Sequence, residues 1–133
     1  MKPENLLYAK THEWVHIETD ATGGRIATVG LSEFALQALT DLVFIELPSV
    51  GDGVEAGETF GEIESVKAVS ALYSPVTGEI VAVNDPVSDR LETLGQDPYE
   101  EGWFIKIRIT GNKGLDQLLD FAAYQQFCES EAH

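Results

Sequence analysis

The chain has 133 residues and a mass of 14.5 kDa, enough for one domain over 1–133 with its own buried core and too little for a multidomain enzyme. Eight Lys plus Arg against 23 Asp plus Glu leave a formal charge of −15, so a nucleic-acid backbone or an anionic membrane surface would repel it. At 44% hydrophobic residues it is too apolar for a disordered acidic tail, and no stretch approaches the roughly 20 apolar residues of a membrane span.

Met1 to Lys10 carries neither a hydrophobic signal core nor an Arg-rich transit segment, and Cys128, the single cysteine, cannot form an internal disulfide. These features suit a bacterial cytoplasmic protein, or a mitochondrial one whose transit segment has been removed. The run Trp14-Val15-His16-Ile17 alternates, as does Arg25-Ile26-Ala27-Thr28-Val29, and Gly23-Gly24 marks a turn between them, so an opening hairpin is expected. His12-Glu13-Trp14-Val15-His16 fits the zinc pattern His-Glu-x-x-His, which works only on a helix, where both imidazoles share a face. On a strand the two histidines stand about 13 Å apart, so no metal site is expected.

Leu31, Phe34, Ala35, Ala38 and Leu39 follow helical spacing. Ser32 is placed to cap, Glu33 sits in the first turn, and Leu31 and Leu36 are spaced as a hydrophobic staple, which predicts one short helix near 32–40. An internal repeat comes next: Pro48-Ser49-Val50-Gly51-Asp52-Gly53-Val54 matches Pro75-Val76-Thr77-Gly78-Glu79-Ile80-Val81 at an offset of 27 residues, and Gly57-Glu58 continues against Asn84-Asp85. Two copies are too few for a solenoid. They predict a pseudo-symmetric β sandwich or flattened barrel, each half broken at the same Gly/Asn positions where positive φ is tolerated. After the repeat, Trp103, Ile105, Ile107 and Ile109 alternate with Phe104, Lys106, Arg108 and Thr110 as a half-buried strand, and Leu115 to Cys128 reads as a helical tail. Cys128 reads as a small packing residue, with no histidine evidently placed to activate it.

The connector between the halves, 59–74, has its midpoint at Val66-Lys67. If it is strand, turn and strand, Lys67 sits at the tip of a hairpin in solvent. Between Arg25 and Arg90 it is the only basic residue among 11 acids. An isolated lysine of this kind is an attachment point for an acyl group, or else an ordinary solubilising charge on an exposed turn. Surrounding carboxylates favour an ammonium, so acylation there calls for an enzyme that activates the acyl group.

Around that lysine, Gly61-Glu62-Ile63-Glu64-Ser65-Val66-Lys67-Ala68-Val69-Ser70 and Tyr73-Ser74-Pro75-Val76-Thr77-Gly78-Glu79-Ile80 resemble the lipoylation segment of the glycine cleavage system H-protein family. The similarity extends through Thr11-His12-Glu13-Trp14, Thr28-Val29-Gly30-Leu31, Val43-Phe44-Ile45-Glu46-Leu47-Pro48, Asp97-Pro98-Tyr99 and Gly102-Trp103-Phe104-Ile105-Lys106-Ile107. Lipoyl domains of 2-oxoacid dehydrogenases are shorter, and biotinyl domains carry Met-Lys-Met where this chain has Val66-Lys67-Ala68.

The resemblance implies a mainly β, lipoyl/biotinyl-type sandwich and a carrier, not an enzyme. Lipoate would be joined by an amide to Lys67 within the modification motif Glu64, Ser65, Val66 and Ala68. It would be attached by a lipoate ligase or octanoyltransferase. The implied partners of a monomeric carrier are the pyridoxal-phosphate glycine decarboxylase, which loads an aminomethyl group onto a lipoyl sulfur while CO2 leaves, the aminomethyltransferase, which passes the one-carbon unit to tetrahydrofolate and releases ammonia, and dihydrolipoyl dehydrogenase, which reoxidises the dithiol. An H-like protein serving mainly as a lipoyl donor in cofactor relay is the alternative.

The family shelters the loaded arm, and Glu13 is the matching candidate for its cleft, unless it is an ordinary exposed strand carboxylate. Phe34 and Ala71 stand where many members carry a polar or charged residue, and Thr93-Leu94-Gly95 replaces a common Leu-Val/Ile-Asn in what is expected to be a loop. The acidic surface serves solubility, or steers basic partners through Glu58, Glu62 and Glu64 near the tip.

Overall fold

The computed structural model describes residues 2–131. Strands β1 (Leu7–Tyr8), β2 (Glu13–Thr19) and β3 (Arg25–Leu31) come first, then helix α1 (Glu33–Leu39). Next come β4 (Leu42–Glu46), β5 (Gly53–Val54), β6 (Thr59–Ser65), β7 (Val69–Tyr73) and β8 (Gly78–Val83). Helix α2 (Leu91–Gln96), β9 (Ile105–Ile109) and helix α3 (Phe121–Glu131) complete the order. An antiparallel six-stranded sheet, β1-β2-β3-β9-β8-β5, faces a three-stranded sheet, β4-β6-β7, in an unclosed sandwich.

Between the sheets, Val15, Ala27, Val29, Ile80, Ile105 and Ile107 of the larger sheet meet Ile45, Ile63 and Leu72 of the smaller. Ser32 caps α1 as its spacing predicts, its Oγ accepting from the Ala35 N–H at 3.3 Å, and both staple leucines, Leu31 and Leu36, enter the core. The opening hairpin forms in the expected place, with Asp20 Oδ1 accepting from the N–H groups of Thr22 and Gly24 at the turn. Burial along β2 does not alternate: Val15 enters the sandwich core, while Trp14 on the other face packs with Tyr8, Tyr124 and Cys128 under α3. Opposite Trp14 stands Gly30, where a Cβ would lie 2.5 Å from the indole, so glycine is required by close approach.

The sequence repeat appears as register. Thr59 faces Tyr73 and Glu64 faces Val69, while Gly53 faces Glu79, so both ladders are centred within one residue of Val66-Lys67. The shared turn conformation expected of the two copies is absent. Gly51 and Gly57 have φ of +98° and +90°, but Gly78 lies in a strand where a Cβ would meet the Arg108 carbonyl at 2.0 Å, and Asn84 has φ −87°. The first copy needs glycine for its dihedral and the second for room.

Three further expectations are corrected. The tail from Leu115 is not one helix. Leu119 exchanges backbone hydrogen bonds with Tyr8, which holds the chain extended, and α3 starts only at Phe121, with Asp120 Oδ1 accepting from the Ala123 N–H. Phe104 is fully buried and Trp103 half-buried, the reverse of the alternation, because the ladder begins at Ile105 and 103–104 lie outside it. Finally, Thr93-Leu94-Gly95 forms part of α2, not a loop, with Leu94 buried in the core.

Candidate functional site

Strands β6 and β7 form the hairpin whose turn carries Lys67. Ser65 closes it: its N–H donates to the Ala68 carbonyl at 2.8 Å, and its buried Oγ accepts from the N–H groups of Ala68 at 3.1 Å and Lys67 at 3.4 Å. The Val66 N–H donates to the Asp41 carbonyl at 3.1 Å, tying the turn to the chain entering β4. Val66, Lys67 and Ala68 are exposed. A small hydroxyl residue two positions before the lysine therefore has a physical task, since it satisfies turn amides that no ladder reaches. Glu64 faces Val69 as the last ladder pair.

Glu13 is elsewhere. It begins β2, is 0% exposed, and accepts from Thr11 Oγ1 at Oε1 and from the Tyr73 backbone N–H at Oε2, 3.0 Å away. The alternative of an exposed strand carboxylate is therefore excluded. Burial pushes its carboxyl up to about 7, and the bonds from Thr11 and Tyr73 only partly oppose that shift. Tyr73 closes the end of β7 remote from the turn, six residues or roughly 20 Å along the strand from Lys67, well beyond a four-carbon stem. The structure does not bring Glu13 and the lysine amine together.

A cleft of about 620 Å³ opens beside this base, lined by Lys10, Thr11, Tyr73, Lys113, Asp116 and Leu118 among others. Both groups that hydrogen-bond Glu13 belong to residues of its wall. Thr11 and Tyr73 lie inside motifs of the sequence, but nothing in the sequence points to Lys113 or Asp116, which reach the cleft from a turn and from the short 3-10 helix Leu115–Gln117 that precede the extended Leu118-Leu119. Of the acids expected near the tip, Glu62 and Glu64 lie along β6 toward it, whereas Glu58 is at the hairpin base, where its carbonyl accepts from the Ser74 N–H.

His12 and His16 are not helical. His12, at φ +83°, places Nδ1 2.7 Å from the Tyr124 hydroxyl and Nε2 2.8 Å from Glu131 Oε2, so it fastens α3 to β2. Phe34 lies against it with ring centroids 5.2 Å apart. Ala71 is half-buried on β7, opposite Glu62. Cys128 is a buried thiol on α3, its acidity weakened chiefly by desolvation.

A family model described as glycine cleavage H-protein matches residues 6–131. The chain is 48% identical over 129 residues to the glycine cleavage system H protein of Anaeromyxobacter sp. (strain K), covering 97% of each. It is 50% identical over 130 residues to that of Rhodopirellula baltica, covering 98% of this chain and 96% of the relative. A crystal structure of a glycine cleavage system H protein from Mycobacterium marinum superposes with a TM-score of 0.81 at 37% identity, over 99% of this chain and all of that one.

Proposed function

This chain belongs to the glycine cleavage H-protein family, a family of lipoyl-bearing carrier proteins, and from that membership we propose that residues 1–133 act as one carrier domain acylated with lipoate at Lys67. The observation that supports this most is the turn itself: an exposed amine on a tight turn pinned by Ser65 and Asp41, at the centre of the pseudo-symmetric ladders. An acylating enzyme can enclose such a protrusion without disturbing the core. Glu64, Ser65, Val66 and Ala68 present the amine, and Ser65 holds the backbone conformation in which it projects.

Lipoate joined to Lys67 would supply a disulfide able to take up the aminomethyl group of glycine as CO2 leaves, to give up its one-carbon unit to tetrahydrofolate with release of ammonia, and to be reoxidised from the dithiol by dihydrolipoyl dehydrogenase. The chain's own contribution is to tether and to shelter. A covalent tether raises the local concentration of the cargo at each successive active site. The cleft at the hairpin base is the shelter, with Thr11, Tyr73 and Asp116 on its wall and Glu13 holding Thr11 and Tyr73 in place. When ionised, Glu13 and Asp116 supply negative charge near a cationic amine, against the positive charge of Lys10 and Lys113 on the same wall. A bacterial cytoplasmic location suits this role, and no helix among the described residues is long and apolar enough to cross a membrane.

Intact mass tests the site. Wild type from lipoate-replete cells gains the mass of one lipoyl amide and Lys67→Arg gains none; unmodified wild type overturns the reading. Glycine–bicarbonate exchange with the decarboxylase then separates catabolism from lipoate relay, since a relay donor supports no exchange.

A further inference from the structure

The outward face of the β4-β6-β7 sheet carries an apolar collar at the lysine end. Phe44 faces Glu64 and Glu64 faces Val69; directly opposed residues share a face, so the three side chains stand in one row. The register shift between Leu42 and Phe44 is a bulge that turns Val43 outward as well, where a regular strand would send one of the two inward. Six large hydrophobic side chains are exposed among the described residues, and four of them, Val43, Phe44, Val66 and Val69, are gathered here. Val66 is 74% exposed and Phe44 48%, against 3% for Ile45 on the same strand as Phe44.

In the next row of the same face, Glu46 stands directly opposite Glu62, both exposed. Like charges so placed destabilise a sheet. No ion pair among the described residues relieves them, and Lys67 is the only Lys or Arg between Arg25 and Arg90. An apolar centre bordered by uncompensated carboxylates complements a partner face with an apolar centre and a Lys/Arg rim.

We propose that this face is the docking surface for the enzyme that acylates Lys67, a partner presenting an apolar patch flanked by basic residues. The inference rests on the lipoyl-carrier reading. Reach selects this partner over the others: amide formation brings Nζ within about 3–3.5 Å of the acyl carbon, so the acylating enzyme must cover the residues around the turn. Enzymes that act on the far end of the finished arm are held away by its length. Apolar contact that expels water also favours the neutral form of an amine, the form that attacks. One proton leaves the ammonium for solvent, and Nζ adds to the carbonyl carbon of an acyl adenylate. The C–N bond forms, the C–O bond to phosphate breaks, AMP leaves with the electron pair, and the second proton passes to a base of the partner.

The test uses the full chain, an ATP-dependent lipoate ligase and two double variants, Phe44→Ser with Val69→Ser and Glu46→Gln with Glu62→Gln. The apolar pair is expected to lower kcat/KM for lipoylation at least about tenfold, chiefly through KM. The charge pair is expected to lower it about threefold at low salt and to flatten its dependence on ionic strength. Two readouts should stay at wild-type rates: enzyme-free acetylation of Lys67 by a water-soluble N-hydroxysuccinimide ester, and reduction of the lipoylated variants by dihydrolipoyl dehydrogenase. Wild-type kcat/KM in the apolar pair overturns the docking surface and leaves lipoylation at Lys67 standing. An equal loss in either control overturns it as damage to the fold. A wild-type chain that the ligase leaves unmodified overturns the carrier reading beneath it.

Discussion

The two ends of the β6–β7 hairpin are built on opposite terms. At the base, Leu72 is 0% exposed, and the backbone of Tyr73 is bound by a carboxylate 60 positions away in sequence, itself fully buried. At the tip, Val66, Lys67 and Ala68 are exposed, and the turn is held by Ser65 and one backbone bond to Asp41. A carrier gains from this division. The base fixes where the turn sits, while Lys67 at the tip stays exposed.

The contrast makes graded predictions. Leu72→Ala empties a site in the core and should cost about 2–5 kcal/mol in urea unfolding; a loss under about 1 kcal/mol would mean that the base is not the anchor. Glu13→Gln comes next and carries a pH signature. The carboxyl is at about 7 when folded against 4.5 otherwise, so this group's contribution is full below pH 4.5 and lost as pH rises to 7. The loss is on the order of 3 kcal/mol. Unfolding at pH 5 to 8 should show wild-type stability falling relative to the Gln variant, which lacks that slope; parallel curves would remove the buried carboxylate from the account. Ser65→Ala should cost about 1 kcal/mol and speed hydrogen exchange at the Ala68 amide, with protected exchange counting against the hydroxyl's part in the turn. Smallest is Val66→Ser, expected within about 0.5 kcal/mol of wild type by thermal melting. A tip substitution as damaging as Leu72→Ala would erase the distinction between the two ends.

The local signals in the chain are those that became secondary structure unchanged. Ser32, Glu33 and the Leu31/Leu36 pair describe a helix start within six residues, and α1 begins there. The repeat and its midpoint locate the turn because antiparallel pairing about a pseudo-two-fold maps register directly onto residue number. What misled was burial that depends on a distant cover. The two-faced burial of β2 reflects α3, more than a hundred positions later. The extended stretch at Leu118-Leu119 exists because Tyr8 offers a backbone partner there, which no local periodicity reports. The Gly78 position likewise reads as a turn from its neighbours, yet the Arg108 carbonyl makes it a strand residue that cannot carry a side chain.

The candidate site divides in the same way. Its tip is legible as geometry, since the midpoint of the repeat and one lysine among acids place an exposed side chain on a tight turn that contiguous residues suffice to form, while the chemistry assigned to that lysine comes from the family resemblance. The cleft at the hairpin base could not be read in this way. Thr11, Tyr73 and Asp116 meet at the cleft only when three separated segments pack, and burial is what turns Glu13 from an ordinary acid into a group titrating near neutrality. Desolvation and long-range hydrogen bonds are properties of the assembled core, and they come into being only when the chain closes on itself.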